Sequence, residues 1–313
     1  MAEIMRCRNA WRRLPARLAS LLVAGLAATA WPQPVAKAAA PATQSQGPTI
    51  QADTSTKLLE AGFQRLYELK FDEARAAFLA YQKARPDDAL GKSAEAASYL
   101  FEQFNQKGVL TSEFFLNDAK FLGGVDGSAA QNKNEAFLTA NEAARQAAKA
   151  QLKTDSRNLR AMLAITMADG MESDYDALIV KKQIPALNMM KQAEAEANAL
   201  LAIDNTMQDA NVALGMSNYV IGCLPGYKRA FVWFGGVHGD RAKGMDQMRS
   251  AAEHGHYFQP FAKVMLALAY EREHENASAQ KLLADLANEF PGNPVFSREL
   301  ALVDKQIGKT PGK

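Results

Sequence analysis

The sequence predicts an all-α protein assembled from stacked helical hairpins, and three observations predict it. Apolar residues recur at helical spacing through most of the 313 positions. Ala and Leu supply much of the apolar content while Val, Ile and Thr are sparse, a balance that favours helices over strands. A pattern of small and bulky residues also returns along the chain, the mark of a repeat array. With 48% apolar and 22% charged residues there is ample material for a sizeable core.

Residues 1–40 read as a secretory targeting segment. Five arginines precede LASLLVAGLAATA at 18–30, a run too short for a bilayer span and suited to a signal-peptide core. Ala28-Thr29-Ala30 and Ala38-Ala39-Ala40 both fit a cleavage site. Removal of this segment leaves Cys223 as the sole cysteine, so packing rather than a disulfide must hold the exported chain. The segment carries a net charge of +5 and the whole chain only +2, so the rest is slightly acidic and gives no electrostatic case for nucleic acid. Residues 41–54, PATQSQGPTIQADT, form a flexible leader. The folded domain is expected over 55–308, with 309–313 as a tail.

The first hairpin lies at 58–86, LLEAGFQRLYELKFDEARAAFLAYQKARP. Small residues at Ala61, Gly62 and Ala74 let its two helices approach, bulky ones at Leu58, Phe71, Phe78 and Tyr81 fill the gaps, and Pro86 closes it. This pattern resembles a tetratricopeptide repeat (TPR), whose unit is about 34 residues. Four further units follow. The second opens with Ala96 and Tyr99, and its second helix is displaced to 135–153, with Ala143, Ala147 and Ala150 as packing positions. The third runs from Asn158 through Ala161, Ala164 and Ala168 and resumes at 185–202 with Ala193, Ala197 and Leu200. The fourth places Leu214-Gly215 in DANVALGMSNYVI against Gly244, Met248 and Ala251. The fifth, 260–293, is uninterrupted, with Leu266, Ala267, Tyr270, Ala279, Leu283, Leu286 and Pro291 in register. A last helix to about 307 caps the array. The resemblance covers 55–308, clear at both ends and carried only by alanine spacing in the middle. It implies a TPR-like solenoid of about five repeats plus a C-terminal cap helix, with insertions between helices A and B of the three inner repeats.

Those insertions, at 105–133, 171–184 and 222–240, fall at the same joint, so a solenoid must place them along one edge. Their aromatic and aliphatic content must be buried or form a binding patch. One common layer is expected, with Trp233 as a tie within it. The first helices of the repeats are expected to line a groove through Leu59, Phe63, Leu66, Leu100, Met162, Asp169, Met216, Tyr219, Val264, Leu268 and Glu271. Either the insertions fill this groove as extra core, or they roof a cavity for an apolar ligand or peptide. Asp169, Tyr219 and Glu271 are its candidate polar groups, and Tyr227, Phe231, Trp233 and Phe234 the candidate patch on the third insertion. That insertion also resembles a segment of the eukaryotic TPR proteins related to inclusion-body clearance (the tetratricopeptide repeat protein 39 family), through Leu224, Pro225, Phe234, Gly236, Gly239, Asp240, Arg241 and Gly244. Members of that family are interaction proteins rather than enzymes. Asp240 itself reads as a helix N-cap.

No catalytic constellation emerges. DGMESDYD, with Asp169, Glu172, Asp174 and Asp176, lacks the glycine and distal glutamate of a calcium loop and reads as a solvated turn. His238, His254 and His256 have no cysteine partner or zinc-type spacing, and no phosphate-binding glycine loop or nucleophile elbow occurs. No metal, cofactor or enzymatic activity is expected. The sequence points to an exported, periplasmic or extracellular binding protein. Its leading expectation is a scaffold that takes a protein or peptide partner on its groove or inserted edge. The second is a periplasmic binder of an apolar small molecule, similar to the TPR-type helical components of some solute transporters.

Overall fold

A computed structural model of the chain describes residues 54–125, 131–234 and 236–309. The expected targeting segment, most of the expected leader and residues 310–313 lie outside them. Among the described residues there is no strand, and helices follow one another as hairpins. The first hairpin is α1 (Thr54–Tyr67) with α2 (Phe71–Ala84). Helix α3 (Ala89–Gln106) pairs with α6 (Gln131–Thr154), with the short α4 (Ser112–Phe115) and α5 (Asp118–Gly123) between them. Helix α7 (Leu159–Tyr175) pairs with α8 (Gln183–Ile203). Helix α9 (Asn211–Cys223) pairs with α11 (Arg241–His254) across the intervening α10 (Gly226–Phe234). Helix α12 (Gln259–Arg272) pairs with α13 (Asn276–Glu289), on which α14 (Pro294–Lys309) packs. The second helix of each hairpin also packs on the first helix of the next, giving an all-α helical solenoid. None of the described helices is long and apolar enough to cross a membrane.

Local chemistry sets the helix starts. Asp88, Asn158 and Asp240 each accept a backbone N–H from the first turn of α3, α7 and α11, at 2.9, 3.0 and 3.1 Å. Asp240 thus holds the capping place expected of it. Close approach is set by small residues. A Cβ on Gly62 would lie 2.3 Å from the Phe78 ring, so α1 and α2 meet at a distance only glycine allows.

Two expectations about the middle of the chain are corrected. On α6 the buried positions are Phe137, Asn141, Ala144 and Ala148, whereas Ala143 and Ala150 are exposed and Ala147 is half-buried. The helix is turned by about one residue because Phe137 enters the core and the Asn141 amide donates to the Ala168 carbonyl at 3.0 Å. Alanine spacing alone cannot set that phase. The interruption at 171–184 is largely absorbed into lengthened helices: α7 continues to Tyr175, one π turn follows at Asp176–Val180, and Lys181 (φ 62°) reverses the chain into α8.

The solenoid also closes on itself. The Tyr67 hydroxyl, at the end of α1, donates to the Tyr257 carbonyl at 2.9 Å, and the Asn293 amide donates to the Tyr67 carbonyl at 2.8 Å. The Phe63 ring lies 5.1 Å from Tyr257 and 5.7 Å from Phe258, and Tyr67 lies 5.6 Å from Phe290. Arg160 of α7 adds a hub, donating to Asp88 at 2.6 Å, to the Tyr81 hydroxyl at 2.7 Å and to the Tyr257 hydroxyl at 3.4 Å. The first and last hairpins are therefore joined, and the groove expected along the first helices faces the middle of a closed array.

Candidate functional site

The first helices of the hairpins converge on an apolar cavity with two adjoining chambers. The inner one, about 110 Å³, lies among α1, α3, α7, α8, α9 and α12, with Phe63, Leu100, Leu163 and Val212 in its wall. The outer one, about 580 Å³, lies under the segments between hairpin helices. Phe104, Ser173, Asp174, Met190, Met216 and Phe261 belong to the walls of both.

All three interruptions contribute to the outer wall: Phe114, Phe115 and Phe121 from the first, Ala177, Leu178 and Ile184 from the second, Tyr227, Lys228 and Val232 from the third. They are fastened by specific bonds. The Val125 amide donates to the Leu178 carbonyl at 3.0 Å, joining the first interruption to the second. Gly124 permits this approach, having φ +76° and no room for a Cβ, which would sit 2.7 Å from the Leu178 oxygen. Arg272 of α12 donates to the Phe115 carbonyl at 2.8 Å, pairs with Asp118 and lies 4.8 Å above the Phe121 ring. Glu299 of α14 accepts from the Ser112 amide at 3.0 Å and its hydroxyl at 2.6 Å. The first interruption is thus a strap from α3 across to the C-terminal hairpin.

Polar side chains deep in the wall are almost all engaged within the protein. The hydroxyls of Thr166, Ser173 and Ser217 donate to the Met162 carbonyl, the Ala186 carbonyl and Glu194, at 2.8, 2.9 and 2.5 Å. Asp209 accepts the backbone N–H groups of His256, Tyr257 and Phe258 at 2.9, 3.2 and 2.9 Å, and so fixes the start of α12. Asp174 is the exception. It lines both chambers with no hydrogen bond or ion pair among the described residues, and burial pushes its carboxyl up to about 7.

The predicted site residues fall apart in space. Asp169 is 1% exposed and points away from the cavity to α6, where it lies 2.7 Å from Arg145; Glu172 joins the same arginine at 2.7 Å. Tyr219 is fully buried, stacks on Phe115 at 6.2 Å and donates to Glu273 at 3.2 Å. Glu271 is buried with both carboxylate oxygens unsatisfied, outside either chamber. All three belong to the core rather than to a binding surface. On α10, Tyr227 is 75% exposed at the outer chamber's mouth and Trp233 is 56% exposed. The side chains of Phe231 and Phe234 lie outside the described residues.

The physical reason for the core assignments is helix phase. On α7 the cavity face runs Leu163, Met167, Gly170 and Asp174 and continues to Ala177 of the π turn, one position on from the face that carries Met162 and Asp169. The same one-residue turn brings Val220 and Met265 to the wall in place of Tyr219 and Val264. Phe63, Leu66, Leu100 and Met216 do lie where the sequence places them. Asp174 escapes notice because it sits in an acidic run, yet its spacing from Leu163, Met167 and Gly170 puts it on their face. Among the described residues no three His, Cys, Asp or Glu side chains form a metal-binding group. No protein-family model, curated protein or solved structure matches the chain.

Proposed function

We propose that this protein binds an apolar small molecule in the cavity enclosed by its curled solenoid and the segments roofing it. One observation carries the reading: a space of about 580 Å³, walled by Phe, Leu, Met and Val side chains, lies within the range of about 300–1,000 Å³ of small-molecule sites. An apolar interior of this size is not stabilising by itself, since voids in a core forgo dispersion contacts. Binding is the reading that the wall supports, with apolar side chains at nearly every lining position. The arginine-rich start and apolar run at 18–30 support export, so the ligand is one met outside the cytoplasm. The repeat spacing supports a TPR-like origin for the hairpins.

The test is native mass spectrometry of the protein incubated with dodecanol, against a Met190→Trp variant that fills the neck shared by both chambers. A single bound dodecanol on the wild type, lost in the folded variant, supports the reading; equal adducts on both would refute it. The exposure of Tyr227 and Trp233 favours a second reading, a protein or peptide partner docked on α10. A Trp233→Ser variant separates the two, since Trp233 lies outside the cavity wall and its replacement leaves dodecanol binding in place.

A further inference from the structure

The wall of the cavity is apolar at nearly every point, and that makes a polar side chain set deep in it without a partner informative. Asp174 occupies the junction of the two chambers, where a bound molecule must pass it or stop against it. No hydrogen bond or ion pair engages its carboxyl among the described residues. Neighbouring charges are committed elsewhere. Arg145 faces Asp169 and Glu172 on the far side of α7, and Lys182 acts on Asp176. Lys228 belongs to the mouth, on the exposed α10. A carboxylate in such a place has lost part of its water and gained no counter-charge, an arrangement that a cation relieves and a second anion worsens.

We propose that Asp174 is the polar anchor of the cavity, and that the ligand is an amphiphilic amine whose ammonium group pairs with Asp174 while its apolar body fills the outer chamber. The inference rests on the reading of the cavity as a ligand site and adds the chemical class. An ammonium brings up to three donors and a positive charge to an acceptor-only group. A fatty acid of the same length would set carboxylate against carboxylate, and an alcohol would offer one neutral donor. Ser173 adds no competing donor, because its hydroxyl is held by Ala186.

The experiment measures displacement of the neutral dye N-phenyl-1-naphthylamine by dodecylamine, dodecanol and dodecanoate at about pH 8.5, where alkylamines remain protonated. Wild type is compared with Asp174→Asn, which keeps the shape of the side chain. The expected result is that dodecylamine binds about tenfold or more tightly than dodecanol to wild type, the size of a charge-assisted hydrogen bond. In Asp174→Asn that preference disappears while the neutral dye still binds, and the latter shows that the cavity is intact. Equal affinities for amine and alcohol in wild type overturn the assignment of the anchor and leave the cavity standing. So does an amine preference that survives in the variant, or tightest binding of dodecanoate. Failure of the dye and all three amphiphiles to bind overturns the cavity reading and this inference together.

Discussion

At the scale of single residues, the buried carboxyls make the sharpest demand on solution conditions. Glu271 is pushed up to about 7, first by burial and then by the neighbouring Glu299 carboxylate. A carboxyl with a raised pKa in the fold holds more protons folded than unfolded between the ordinary carboxylate range and about 7. Stability is therefore fully present below that ordinary range and declines as pH rises toward 7. Glu196, pushed up to about 8 by burial and the adjacent Asp169, extends the decline. Replacing Glu271 by Gln removes its share: at pH 8 the variant should be more stable than wild type by about 2–3 kcal/mol, with little difference near pH 4. Denaturant unfolding at several pH values checks this, and an unchanged slope would show that Glu271 finds a partner when ionised. Residues of this kind divide cleanly in legibility. Asp240 is readable as a cap because a cap depends only on its immediate neighbours. Asp169 and Asp174 are five positions apart in one acidic run, yet one joins an ion pair and the other lines the cavity. Which does which depends on the phase of α7, and a run of charges does not show phase.

At the scale of elements, the interruptions matter more than the hairpins they interrupt. Their shared edge is legible, because a repeat places equivalent joints side by side. How they are fastened is not. The sequence points to Trp233 as the tie, but Trp233 is largely exposed, and the place belongs to Phe115, buried between Phe121 and Tyr219 with its carbonyl held by Arg272. Phe115→Ala should therefore cost about 3 kcal/mol and speed exchange of the Val125 amide that bonds to Leu178. Trp233→Ala should change stability by less than about 1 kcal/mol. Melts and hydrogen exchange on the two variants decide between them, and a larger effect from Trp233 would return the layer to α10. The second interruption shows the limit of reading by composition. Its apolar residues suggest an inserted loop, yet continued hydrogen bonding makes them the end of α7 and a π turn, and only the resulting curvature turns Leu178 toward Gly124.

At the scale of the whole molecule, five hairpins and a closing helix are legible and their closure is not. The bonds that close the solenoid join Tyr67 to Tyr257 and Asn293, 190 and 226 positions apart. Spacing within a repeat reports which face of a helix is buried; it does not report the small rotation from one hairpin to the next, and that rotation accumulates into closure. A closed array turns its concave face inward and leaves the roofed side as the approach to the interior. A ligand held inside such an array touches distant segments at once. Hydrogen exchange of the wild-type protein, with and without saturating dodecylamine, should show protection gained together at 112–125, 174–187 and 226–232, with α13 on the outer surface unchanged. Absence of any protected segment, or protection confined to α10, would contradict a ligand held inside the solenoid.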